Sequence, residues 1–206
     1  MKVLPVGDRA LLVELADAPE AQALHAELLR RRAAGSLPPV REIVPAARTV
    51  LLDGLDAPAA LARQLPQWTV PPLPPRARDV IEIPVRYDGP DLAEVAAHWR
   101  TSEEEAVRIH TAAEYRVAFC GFAPGFGYLT GLPEQFAVER RATPRTSVPQ
   151  GSLALAGPYT GLYPRSSPGG WQLIGTTDTV LWDAAREPAA LLTPGARVRF
   201  TAERRR

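Results

Sequence analysis

The chain has 206 residues, of which 46% are apolar and 23% charged, and its formal net charge is +1. This is globular composition, enough for one large domain or two small ones, and the near-neutral balance excludes a general polyanion binder, so no nucleic-acid partner is expected. No apolar run approaches a membrane span, no signal peptide is expected before Pro5 and Asp8, and the single cysteine, Cys120, excludes an internal disulfide; a cytoplasmic protein with no membrane partner is expected.

Val3–Val6 and Ala10–Leu15 read as strands split by the turn Gly7-Asp8-Arg9. Pro19–Ala34 reads as a helix with Leu24, Leu28 and Leu29 on one face and Gly35 just past its end. Strands are expected over Val40–Val44 and Thr49–Leu52, and a short amphipathic helix over Ala57–Leu65. These elements predict an α+β unit of ferredoxin-like style over residues 1–70. The run Val70-Pro71-Pro72-Leu73-Pro74-Pro75-Arg76 cannot supply ladder hydrogen bonds, so residues 71–78 are expected to be a linker.

Beyond it, Asp79–Val85 alternates as a strand, Asp91–Trp99 reads as a helix, and Thr101-Ser102-Glu103-Glu104 caps a second helix reaching about His110. After Tyr115 the strands shorten (Val117–Phe119, Leu153–Ala156, Leu173–Ile174, Val198–Phe200) and are separated by Gly and Pro, which predicts a small closed or rolled β-structure over residues 79–206.

The chemistry is narrowed by what is missing. Lysine occurs only at Lys2, so there is no Walker-type phosphate lysine and little scope for a Schiff base. His25, His98 and His110 have no zinc spacing, so no metal site is expected, and no Gly-x-Ser-x-Gly elbow occurs. What remains is the stretch from about His110 to Thr177. Ten of the fifteen glycines fall between Gly121 and Gly175, interleaved with aromatics. Such glycines serve either turns or close backbone approach to a ligand. Phe122, Phe126, Tyr128, Tyr163 and Trp171 are either core residues or the walls of a flat pocket, with Pro124, Gly125, Gly169 and Gly170 shaping it. Arg145, set among prolines, is a candidate for gripping a carboxylate or phosphate, or else a surface ion pair. Ser152, Thr160 and Ser167 are candidate hydroxyl donors. His110, at a helix end, is either a dipole partner or a general acid–base.

Three segments carry a resemblance: His110 with Tyr115, Gly121-Phe122, Pro124-Gly125-Phe126 and Tyr128-Leu129; Pro144-Arg145, Val148-Pro149 and Gly151-Ser152; and Thr160-Gly161, Tyr163-Pro164 and Ser167-Pro168-Gly169-Gly170-Trp171. Together with Asp8-Arg9-Ala10-Leu11 and Val44-Pro45-Ala46 upstream, they resemble the allophanate hydrolase subunit 1 family, which includes the KipI kinase inhibitors and 5-oxoprolinase subunits. The resemblance implies a ferredoxin-like N-terminal part followed by a mostly-β cyclophilin-like barrel. It also implies a subunit inactive alone. Such a subunit would act with an allophanate hydrolase subunit 2 type partner and a third lactam-utilisation subunit to open the lactam 5-oxoproline to L-glutamate. The cofactor expected is ATP with Mg, shared with the partner. Two alternatives are implied by the same family: inhibition of a histidine kinase, or a part in a urea or allophanate-type carboxyltransferase–hydrolase.

Overall fold

The computed structural model describes residues 1–72 and 80–203. Most of the expected linker, from residue 73 on, and the three terminal arginines therefore lie outside the described residues. The chain divides into two compact units, Met1–Ala77 and Arg78–Arg206.

In the first unit, β1 (Lys2–Val6), β2 (Ala10–Glu14), β3 (Glu42–Pro45) and β4 (Thr49–Asp53) form an antiparallel sheet in the order β1-β2-β4-β3. The alternation of β2 and β4 decides its inner face: Leu11 opposes Leu52 and Val13 opposes Val50, and all four are buried. Helix α1 (Ala18–Ala33) lays Ala21, Leu24 and Leu28 into the same cluster, and α2 (Pro58–Gln64) adds Leu61. Leu29, expected on that face, is 36% exposed, because the helical stripe runs through Ala21 instead. The Asp17 carboxylate caps α1 by accepting from the Glu20 amide at 2.9 Å. At the other end Gly35, at φ 68°, completes a Schellman pair, with Ser36 N–H donating to the Arg31 carbonyl and Gly35 N–H to that of Arg32. The element sequence is ββαββα. A linear ferredoxin-like unit alternates as βαββαβ, so here one strand precedes the first helix-linked pair instead of ending the sheet.

The second unit is mostly β, with few helices. After β5 (Ile81–Val85) come α3 (Leu92–His98) and α4 (Glu103–Ala112). Ser102, one residue later than expected, caps α4 by accepting from the Glu105 amide. The strands that follow are β6 (Tyr115–Cys120), β7 (Gly127–Thr130), β8 (Arg145–Val148), β9 (Ser152–Ala156), β10 (Tyr159–Leu162), β11 (Ser167–Gly169), β12 (Gln172–Thr176) and β13 (Arg197–Ala202). Six of them and β5 form one sheet in the order β12-β9-β10-β7-β6-β13-β5, while β8 and β11 make a separate two-stranded ribbon. The outer strands of the large sheet meet where Arg86 and Thr176 exchange both backbone hydrogen bonds at 2.8 Å, which nearly closes a barrel.

Strand alternation then sorts side chains between two cores. Leu153, Leu155, Leu162, Leu129 and Ile174 point one way and join α3, α4, Tyr115 and Phe200 in the larger core. Tyr128, Gly161, Ala154 and Leu173, paired in register across four strands, point the other way. Phe126, Val148, Tyr163 and Trp171 pack over this second face.

Candidate functional site

The second face gathers most of the residues singled out in the sequence. Phe126 lies edge-on to Tyr128 (5.0 Å), Tyr163 (5.4 Å) and Trp171 (5.5 Å), and Phe119 stacks on Tyr128 at 4.3 Å. Gly161 sits beneath them in mid-strand. A methyl group there would come within 2.8 Å of Phe126 and 2.9 Å of Trp171, so this glycine makes room for rings rather than a turn. Phe122 is 58% exposed and holds φ 66°, an uncommon conformation for a non-glycine residue, in the tight turn that ends at Phe126. Pro124 is exposed in that turn, and Gly125 follows at φ 85°. Trp182 lies against Gly125, whose added Cβ would meet the Trp182 Cβ at 2.9 Å.

Arg145 opens the ribbon strand β8, but its guanidinium is already engaged. Nη2 donates to Asp91 Oδ1 at 2.7 Å, and Arg141 Nη1 donates to the same oxygen at 2.9 Å. The other carboxylate oxygen accepts from the Leu173 amide at 2.6 Å. Asp91 is 3% exposed, so one buried carboxylate ties the start of α3 to β12 and to the two arginines. Nothing in the sequence signalled Asp91 as this partner, since 54 residues separate it from Arg145. Arg145 Nη1 has no partner among the described residues. A cleft of ≈ 530 Å³ adjoins Arg141 and is also lined by Arg140, Glu94, Glu139 and Gln172.

Two candidates fall on the opposite side of the sheet. Thr160 neighbours Gly161, so strand alternation turns it toward the larger core, where it is 0% exposed. His110 is likewise 0% exposed, with its ring 5.0 Å from Tyr115 and from Phe200 and its Nδ1 2.8 Å from the Tyr87 hydroxyl. Burial holds its pKa down to about 3, so the imidazole is neutral at physiological pH. It is thus a core histidine in this arrangement, away from the aromatic face. Ser152 spends its hydroxyl on the Pro149 carbonyl at 2.8 Å, whereas the buried Ser167 hydroxyl has no partner among the described residues. Gly169 and Gly170 do border the aromatic face: a methyl at Gly169 would collide with the Tyr163 hydroxyl, and one at Gly170 would lie 3.7 Å from Arg140 Nη2. Arg140 was missed by sequence reasoning, because it lies outside the proline-flanked motif.

These features define a class. Residues 1–192 match the model of the carboxyltransferase domain, subdomain C and D, and the chain belongs to that family. More particularly, the chain is 53% identical over 135 residues to the B subunit of 5-oxoprolinase from Escherichia coli O157:H7, covering 64% of this chain and 62% of that protein. It is 48% identical over 126 residues to the corresponding B subunit from Bacillus subtilis (strain 168), covering 60% and 52%. The matched segments thus span roughly half to three-fifths of these relatives' length. The resemblance to the allophanate hydrolase subunit 1 and KipI family holds on these matches. Among solved structures, TTHA0988 superposes with a TM-score of 0.78 at 35% identity, covering 96% of this chain and 40% of that one. The conserved protein PH0987 from Pyrococcus horikoshii gives 0.58 at 31% identity, covering 98% and 97%. The Kluyveromyces lactis urea carboxylase gives 0.71 at 19% identity, covering 98% and 22%, which is a likeness of fold.

Proposed function

We propose that this chain is a subunit of an ATP-dependent 5-oxoprolinase that opens 5-oxoproline to L-glutamate and is inactive alone. The observation that carries the reading is the 48–53% identity to proteins named as the B subunit of 5-oxoprolinase. The exposed Phe122 ring, the half-buried Tyr128 ring and Arg140 beside Gly170 support it as contacts for a small anionic ring compound, whereas Phe126, Tyr163 and Trp171 are buried. Its partners are a second subunit of the allophanate hydrolase subunit 2 type and a third lactam-utilisation subunit, in the cytoplasm. The ferredoxin-like relationship of the first sheet and the cyclophilin-like relationship of the barrel belong to the same reading, and neither implies isomerase activity.

In this reading ATP with Mg is shared with the partner subunit. The one lysine of this chain is Lys2, so the cations it could offer to nucleotide phosphates are arginines. This chain's task is to bind and orient the lactam. The ring amide is resonance-stabilised, with a rotational barrier of about 18–20 kcal/mol, and fixed placement of its carbonyl lowers the cost of attacking it.

The test is glutamate formation from 5-oxoproline and ATP by the three subunits mixed, with and without this chain. Turnover should require the chain; undiminished turnover without it refutes the reading. One feature favours the histidine-kinase-inhibitor alternative: Phe122, Val180 and Trp182 are exposed apolar residues of the second unit, as anchors of a protein interface would be. A kinase autophosphorylation assay with the same preparation separates the two, and urea in place of 5-oxoproline tests the carboxyltransferase alternative.

A further inference from the structure

The cleft of ≈ 530 Å³ beside Arg141 opens on the α3 side of the large sheet. Gln172 of β12 lines it and pairs in register with Leu155 of the larger core, whereas the next residue, Leu173, belongs to the aromatic cluster on the other face. One wall is α3, where Glu94 and His98 stand one turn apart. The other is the irregular segment 137–141, and its backbone is strapped down. His98 Nε2 donates to the Ala137 carbonyl at 3.2 Å, the Gly157 amide to that of Val138 at 2.7 Å, and Gln172 Nε2 to that of Glu139 at 3.2 Å. The Arg141 amide donates in turn to the Gly170 carbonyl at 2.7 Å. Both walls are thus formed before any ligand arrives. Arg140 stands on the strapped wall and Glu94 on the helical one, yet neither forms an ion pair among the described residues. Arg141 differs, since Asp91 holds it at 2.9 Å. Gln172 is 9% exposed and its Oε1 has no partner among the described residues, so the lining carries a buried acceptor that favours a ligand bringing donors.

We propose that this cleft binds a free α-amino acid, whose carboxylate meets Arg140 and whose ammonium meets Glu94. Opposite charges on two walls of one cleft, unpaired with each other, are both satisfied by a zwitterion, whereas a simple anion or a simple amine satisfies one and leaves the other. The volume suits a small molecule of this kind. The class of ligand stands on the cleft itself; L-glutamate as its occupant rests on the 5-oxoprolinase reading, in which it is the product.

Isothermal titration of the full chain with L-glutamate, glutarate, putrescine and 5-oxoproline tests this. L-Glutamate should bind; glutarate and 5-oxoproline, which lack the ammonium, and putrescine, which lacks the carboxylate, should each bind ~10-fold or more weakly. Arg140→Gln and Glu94→Gln should each weaken L-glutamate by ~10-fold or more, as loss of a charge-assisted hydrogen bond does. Both side chains are exposed, so the urea midpoint should stay in place in either variant. Glutarate or putrescine binding as tightly as L-glutamate overturns the zwitterion, and so does unchanged affinity in either variant. Absence of L-glutamate binding, while the mixed subunits still turn over 5-oxoproline, overturns this inference and leaves the enzymatic reading standing. Binding of L-glutamate that both variants lose, in a chain the mixed subunits do not need for turnover, keeps the cleft and overturns the enzymatic reading.

Discussion

Replacing Asp91 with alanine removes the one acceptor shared by Arg141, Arg145 and the Leu173 amide. The Leu173 N–H lies in a buried setting and would lose its bond, which costs roughly 1–3 kcal/mol. The two arginine side chains are 33% and 23% exposed, so they regain part of their hydration. Their loss therefore falls short of the ~3–5 kcal/mol typical of breaking a fully buried pair. Together the expected destabilisation is about 3–4 kcal/mol. With a urea dependence of roughly 1–3 kcal/mol per M, the midpoint should fall by about 1–4 M without change of slope. Tryptophan fluorescence reports it, since Trp99 and Trp171 lie in the second unit. Asp91→Asn should lose less, because its amide oxygen still accepts from Leu173. A loss below about 1 kcal/mol for Asp91→Ala would refute the view that this carboxylate clamps α3 to the sheet and the arginines.

Two further outcomes follow from the packing. His110 keeps its pKa near 3 when folded against an ordinary value of 6.5, so between those pH values the unfolded chain binds a proton that the folded chain does not. Stability must therefore fall as pH drops through that window, by at most about 1.4 kcal/mol per pH unit from this group, and His110→Gln should flatten the slope in urea midpoints measured from pH 7 to 4. Gly161→Ala drives a methyl group into Phe126 and Trp171 and should cost roughly 1–3 kcal/mol in the same urea assay; a neutral result would show that the rings over β10 move aside freely.

The helices were legible because their ends carry local chemistry. Asp17, Ser102 and Gly35 act at their own helix termini, and no distant residue decides those bonds. The Gly/Pro-rich strands were not. Residues 127–130, 159–162 and 167–169 carried no strand expectation, because glycine and proline usually punctuate strands, yet Gly161 lies in mid-strand, where bulky rings fill the space above it. Face assignment failed for the same reason: without a register, nothing tells that Thr160 turns inward while Gly161 turns outward. Arg145 was marked as gripping a substrate or nucleotide anion, or else as a surface ion pair; the structure pairs its guanidinium with the buried Asp91 of this same chain. Arg140, with no acid to hold it among the described residues, carried no local signal at all.

The near-closure of the large sheet bears on how a neighbour can attach. One margin of β12 is already satisfied: Thr176 is bonded to Arg86, the Leu173 carbonyl receives the Asp91 amide, and Gly89 lies flush against the backbone of Ile174. An incoming polypeptide finds no row of unspent amides there to zip onto. Recognition at that margin must run through side chains and loop tips, which makes it sensitive to single substitutions in a way that backbone pairing is not.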